Sequence, residues 1–202
     1  MRGSSEPPLF SELVRDDVLC GERIVEEGGD VRLFRRWLST TEADALLVSI
    51  QAGTEWTQER RKMYDRFVDV PREQARRGGD KAAPWTPELQ AVRARLEELL
   101  GARFSFVLLN RYRNGSDSVA WHNDHEVKGL PHPVVASLSL GASRAFDLRP
   151  KSDRKRVISV DLEHGDLLVM QGDTQYNWEH RVAKDRRAGG ERINLTFRQQ
   201  AE

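Results

Sequence analysis

The hydrophobic rhythm of the chain changes half-way along. Before Gly101 apolar positions recur at helical spacing in two places. Thr40 and Thr41 lead into Ala43, Leu46, Leu47 and Ile50, a repeat of three and four that collects them on one helix face. Thr86 suits an N-cap and Pro87 a first helical position, and the stripe Leu89, Val92, Leu96 and Leu99 runs on to Gly101, a residue able to end a helix. A short strand-like run, Val31 to Leu38, precedes the first helix. Between the two helices, residues 53–83 are polar and rich in Arg, with QERRKMYDR and PREQARRGGDK. Their irregular pattern reads as surface loops, a lid region around something. Residues 1–30, with Ser4, Ser5, Pro7 and Pro8 near the start, read as an N-terminal arm.

After Gly101 the segments become short, apolar or alternating, and are separated by turn residues: FSFVLLNRY, PVVASLSL, AFDLRP, RVISVDL, DLLVMQG, NWEHRV and RINLTF. These are strands, and no βαβ alternation orders them. Helices first and many strands afterwards predict an α+β, mainly β chain: a jelly roll with its N-terminal helices packed on one sheet. A length of 202 residues suits one such domain, here 31–202.

Composition narrows the chemistry. Cys20 is the single cysteine, so a metal site has to come from His and carboxylates. Lys plus Arg and Asp plus Glu both total 32. A polyanionic partner would therefore need locally sorted charge, as in Arg60, Arg61, Lys62 and Arg66, or in the Lys151–Arg156 and Lys184–Arg187 runs. No apolar run is long enough to span a bilayer, and the start MRGSSEPPLF has no signal core. A cytoplasmic monomer with no membrane contact is the expectation.

Two of the five histidines stand in His122-Asn123-Asp124 and Trp178-Glu179-His180. Two imidazoles and a carboxylate on one face of a metal leave positions open for oxygen and a co-substrate, which suits non-haem Fe(II). On a strand His122 and Asp124 share a face, because side chains alternate, and a later strand can bring His180 alongside. In Arg192-Ile193-Asn194-Leu195-Thr196-Phe197-Arg198 the even positions put two guanidiniums and an amide in one row, while the odd positions are apolar. Buried cations need anions, and a dicarboxylic acid such as 2-oxoglutarate supplies two. Trp121 and Trp178 flank the ligands and read as wall packing.

Taken together, Asn110-Arg111-Tyr112, His122-Asn123-Asp124-His125-Glu126, His164-Gly165-Asp166-Leu167-Leu168, His180 and the R-I-N-L-T-F-R strand resemble the AlkB family of nucleic-acid dealkylating dioxygenases. The motifs come in that family's order. The resemblance implies a double-stranded β-helix with Fe(II) on His122, Asp124 and His180, and 2-oxoglutarate held by Asn110, Tyr112, Arg192, Asn194 and Arg198. Within that set Arg192 would take the distal carboxylate, with Arg198 nearer the metal and Asp124. The implied reaction uses O2, yields succinate and CO2, and removes an N-alkyl group from DNA or RNA as an aldehyde. Glu126 would contact the damaged base, with Tyr64 and Trp56 as lid aromatics against a flipped base. One departure stands out: where similar members carry an aromatic segment, this chain has Arg76-Arg77-Gly78-Gly79-Asp80. Two other readings compete, a dioxygenase of the same fold acting on a protein or small molecule, and a catalytically silent jelly-roll module.

Overall fold

Alternation along the last strand divides the molecule into two cores. The computed structural model describes residues 21–63, 65–79, 82–124, 129–130 and 133–199. Its elements run β1 (Glu22–Val25), β2 (Asp30–Phe34), α1 (Thr40–Gly53), β3 (Arg60–Met63), β4 (Arg66–Asp69), β5 (Glu73–Arg77), α2 (Pro87–Leu100), β6 (Phe106–Tyr112) and β7 (Val119–His122). There follow β8 (Val135–Gly141), β9 (Arg144–Pro150), β10 (Ile158–Leu162), β11 (Leu167–Gln171), α3 (Thr174–Asn177), β12 (Trp178–Val182) and β13 (Arg192–Arg198). A major sheet has the order β1-β2-β11-β8-β13-β6-β5, a minor sheet the order β10-β9-β12-β7, and β3 pairs with β4 as a separate hairpin. All these pairings are antiparallel. Two facing antiparallel sheets with few helices are the jelly roll that the patterning predicts.

Ile193, Leu195 and Phe197 of β13 point to one side of the major sheet and join Leu138 and Leu140 of β8 and Leu167 and Val169 of β11. The apolar stripes of both helices cover this side: Ala43, Leu46 and Ile50 from α1, Leu89, Val92 and Leu96 from α2. The ring of Phe197, fully buried, lies parallel to Trp85 and edge-on to Phe104, each at 6.1 Å between centroids. The second core fills the space between the sheets with Leu33, Val135, Phe146, Leu148, Leu162, Leu168, Met170 and Trp178. Polar residues of β13 face this inter-sheet side, which is where the site lies.

Both helices start where their sequences give the first turn an acceptor. For α1 the cap is Ser39, one residue before the threonines: Ser39 Oγ accepts from the Glu42 N–H, and the Glu42 carboxylate accepts from the Ser39 N–H. This reciprocal pairing satisfies two otherwise orphaned donors and contributes about 1 kcal/mol. For α2 Thr86 accepts from the Leu89 N–H, Pro87 opens the helix, and Gly101 closes it at φ 61°, in the left-handed region where a side chain is strained.

The N-terminal expectations need two corrections. Glu22–Val25, inside the stretch read as an arm, forms β1 and pairs with β2. Residues 53–83 are not simply loops, since they supply β3, β4 and β5. Strand β5 escapes the apolar alternation because it is an edge strand with one sheet neighbour. Ala75 packs toward the helix-side core, whereas the neighbouring Gln74 faces the polar side. Among the described residues no helix is long and apolar enough to cross a membrane.

Candidate metal and co-substrate site

The two histidines are brought together by strand register. His122, the last residue of β7, is the direct cross-strand partner of His180 on β12, and directly opposed side chains on adjacent strands lie close. Their rings are 4.3 Å apart between centroids. Phe146 of β9 lies nearly parallel to His180 at 5.2 Å and walls it from behind. One ligand atom each from His122, Asp124 and His180 fall within 4.8 Å of one another, a grouping able to hold a metal ion.

Asp124 reaches this place by a different route from the one its spacing predicts. Strand β7 stops at His122, so period-two alternation does not carry Asp124 into the site. Gln175, in the short helix α3, sets the turn instead. Its side-chain oxygen accepts from the Asp124 backbone N–H at 2.9 Å, and its own carbonyl accepts from Asn123 Nδ2 at 2.6 Å. Arg198 Nη2 donates to Asp124 Oδ1 at 2.6 Å, with both side chains buried. A carboxylate has two oxygens, so the guanidinium and a metal can share it.

Protonation suits ligation. The Ala120 carbonyl, 2.8 Å from His122 Nδ1, can only accept, which puts the proton on Nδ1 and leaves the Nε2 lone pair for a metal. Burial pulls the His122 imidazolium below its ordinary range. Burial also pushes His180 down to about 3, with the neighbouring His122 adding to the shift. Both rings are therefore neutral near pH 7, the state that binds metal.

Next to this triad β13 presents Arg192, Asn194, Thr196 and Arg198 along one wall of a single pocket, with Asn110 and Tyr112 of β6 beside them. Every residue of the anticipated metal and co-substrate sets lines it. Asn194 Nδ2 donates to Ser137 Oγ at 2.7 Å, and Thr196 Oγ1 donates to Asn194 Oδ1 at 2.8 Å. Asn110 Oδ1 accepts from Arg72 Nε and Gln74 Nε2. Arg192 is 1% exposed; its Nη2 donates to Ser139 Oγ and its guanidinium lies within reach of the Tyr112 hydroxyl, while its buried Nε and Nη1 make no close hydrogen bond. A buried guanidinium with donors to spare fits a carboxylate arriving end-on. The residues present therefore fit an acid such as 2-oxoglutarate spanning from the triad to Arg192.

The model of the 2OG-Fe(II) oxygenase superfamily matches residues 30–198, and the human DNA oxidative demethylase ALKBH2 is 33% identical over 178 residues, 78% of this chain and 68% of that protein. The chain belongs to the AlkB family of 2OG-Fe(II) oxygenases. Human alkB homolog 3, an alpha-ketoglutarate-dependent dioxygenase, is 34% identical over 186 residues, and the chain covers 65% of its length. Among solved structures OsALKBH1 superposes with a TM-score of 0.60 at 21% identity, over 87% of this chain and 99% of that one. A Trichoplax adhaerens prolyl hydroxylase bound to a peptide superposes with a TM-score of 0.59 at 14% identity, over 84% and 83%. At those identities the likeness concerns the fold.

The anticipated substrate residues of this AlkB-family protein fare differently. Glu126 and Tyr64 lie outside the described residues. Trp56 is half-buried against the helix-side core, with the Arg111 guanidinium 5.7 Å from its ring, and is not among the residues lining the pocket. Trp121 is held between Arg149 and Arg181, at 4.1 and 4.5 Å, and Trp178 is buried with its N–H donating to the Glu27 carbonyl. Spacing missed Gln175, whose surroundings in Asp173-Thr174-Gln175-Tyr176 carry no mark of a ligand-positioning role. Ser137 and Ser139 were missed as well, although two serines at period two inside the apolar run of β8 mark a polar face, the one shared with the β13 row.

Proposed function

We propose that this protein removes alkyl groups oxidatively from bases of DNA, and of RNA where the site admits it, using Fe(II), O2 and 2-oxoglutarate. The observation that carries the proposal is the His122–Asp124–His180 triad, its two imidazoles neutral, sharing one pocket with the buried guanidinium of Arg192. Relatives named as an alpha-ketoglutarate-dependent dioxygenase and a DNA oxidative demethylase support it. When bound, the iron and co-substrate would supply oxygen activation coupled to decarboxylation, giving succinate, CO2 and a hydroxylated alkyl carbon whose breakdown releases an aldehyde.

The chain's own residues then hold and orient. His122 and His180 offer neutral nitrogens, and Asp124 offers the carboxylate that Gln175 and Arg198 keep in place. Arg192 and Tyr112 take the far carboxylate of the co-substrate, so its 2-oxo acid end points at the triad, with Asn110 and Asn194 along its flank. Phe146, Met170 and Val182 line the same pocket with apolar surface, which keeps water from a reactive centre. No protein base is needed for an oxidation at an alkyl carbon, so substrate positioning decides selectivity. Residues 53–83, with the β3–β4 hairpin and Arg72 at the pocket wall, form the substrate-side lid in this reading. Glu126 contacts the base, and Tyr64 is the lid aromatic. The test is mass spectrometry of N-methylated oligonucleotides, single- and double-stranded, DNA and RNA, incubated with Fe(II), 2-oxoglutarate and ascorbate. Loss of 14 mass units per methyl, about one CH2, is the expected result for at least one substrate. Turnover of 2-oxoglutarate with no demethylated product across the panel overturns the proposal.

A further inference from the structure

Arg144 is a buried cation that the co-substrate set does not use. It opens β9 and is 2% exposed. Its Nη2 donates to the carbonyls of Asp117 at 2.9 Å and Ala183 at 2.6 Å, its Nη1 to the Asn114 carbonyl at 3.2 Å, and its Nε is buried with no hydrogen-bond partner. All three acceptors are backbone carbonyls, while the Asp117 carboxylate is turned to Arg113. The Asp117 and Asp185 carboxylates act on this charge from a distance, and a neutral donor could tie the same carbonyls with far less desolvation cost.

The Arg144 guanidinium lies 5.6 Å from the centre of the Tyr112 ring, and the Arg192 guanidinium lies 5.4 Å from the same ring. Tyr112 and Arg192 line the pocket that also holds the triad; Arg144 does not. The end of the pocket formed by Tyr112 and Arg192 therefore carries two buried positive charges, of which one has idle donors and the other stands behind a phenol ring. Burial pulls the Arg192 pKa down to about 10, and the charge of Arg144 pushes the same way. The distal carboxylate of a dianion would meet this pair of charges, whereas a monoanion bound only at the metal would not. The carbonyl bonds add a second effect. They tie the 114–117 turn to the start of the connection into Arg192, a junction so close that a Cβ at Gly115 would stand 1.7 Å from the Asp185 carbonyl oxygen.

We propose that Arg144 is a positioning and selectivity residue for the co-substrate: its charge, acting past Tyr112, makes this pocket choose a 2-oxo acid with a second carboxylate over one without. The proposal rests on the 2-oxoglutarate reading above. Its test is calorimetric binding to the Mn(II)-loaded protein without oxygen, comparing 2-oxoglutarate with 2-oxovalerate, which has the same five carbons but lacks the distal carboxylate. Arg144→Gln keeps donors for the carbonyls and loses the charge; Arg144→Lys keeps both. The glutamine variant is expected to weaken 2-oxoglutarate about tenfold while 2-oxovalerate changes less than about twofold, and the lysine variant to stay within about threefold of wild type for both. Melting curves check the fold, and Arg144→Met replaces the glutamine variant if that one does not fold. Equal loss of both acids, or equal behaviour of the Gln and Lys variants, overturns the proposal and leaves Arg144 a structural tie. A wild-type protein with no preference for the diacid would instead overturn the co-substrate reading itself.

Discussion

Replacing Gln175 by Leu tests whether the metal carboxylate is held in place from outside the ligand set. The side chain is 2% exposed and gives three things: an acceptor for the Asp124 N–H, an Nε2 contact to Met170 Sδ at 3.6 Å, and bulk under α3. Leucine keeps the bulk and removes the polar contacts. Asp124 is itself 2% exposed, so water cannot replace the lost acceptor, and an unsatisfied buried donor costs about 1–3 kcal/mol. Loss of a residue that orients a metal ligand lowers metal affinity about 10- to 100-fold, or about 1.4–2.7 kcal/mol. Mn(II) titration by calorimetry and urea unfolding of the metal-free protein measure the two quantities separately. The expected outcome is a fall in both for Gln175→Leu, with metal affinity restored in Gln175→Glu, which keeps an acceptor oxygen. A stability loss with Mn(II) affinity unchanged would refute the reasoning, because Asp124 would then hold its place without Gln175.

Stability of the metal-free protein should fall on acidification, because His180 is neutral when folded down to about pH 3 but takes a proton near 6.5 when unfolded. The unfolded state binds more protons between those values, so stability is fully present above 6.5 and is lost as pH falls toward 3, by up to about 1.4 kcal/mol per unit from this residue. Urea unfolding at pH 7 and 5.5 checks it, and His180→Asn should flatten the difference. Arg192→Ala should weaken 2-oxoglutarate binding at least about tenfold and oligonucleotide binding much less; equal losses in calorimetry and fluorescence anisotropy would make the strand merely structural. Gly115→Ala should lower the melting temperature by several degrees, since the added Cβ meets the Asp185 carbonyl oxygen, fixed backbone that cannot swing aside.

The sequence showed most clearly those parts of the molecule in which a side chain's direction follows from a repeat. Alternation in β13 sorts Ile193, Leu195 and Phe197 from Arg192, Asn194, Thr196 and Arg198, and the structure puts the first set in the helix-side core and the second in the pocket. The stripe of α2 and its Thr86–Pro87 start are equally plain, because cap and periodicity are local properties. Features that depend on distant chain were hidden. Strand β5 has no apolar rhythm because it is the edge of the major sheet, with β6 on one side and only isolated bridges to Thr57 and Ala83 beyond it, so Glu73–Arg77 reads as loop. Gln175 and Arg144 act on Asp124 and on the 114–117 turn through contacts across 51 and 27 residues, and neither has a local signal. Ser39, Thr40 and Thr41 all suit an N-cap by type, so residue type alone does not place the cap of α1 at Ser39.

The central claim is that iron on His122, Asp124 and His180, with 2-oxoglutarate reaching Arg192, acts on an alkylated base. Its most direct test is the ratio of formaldehyde to succinate formed from an N-methylated oligonucleotide, with and without chelator and beside the unmethylated strand. The account predicts close to one formaldehyde per succinate on a methylated substrate, no formaldehyde from the unmethylated strand, and loss of both products on chelation or in His122→Ala. Succinate formed at one rate from methylated and unmethylated strands, with no formaldehyde from any methylated base, would contradict it.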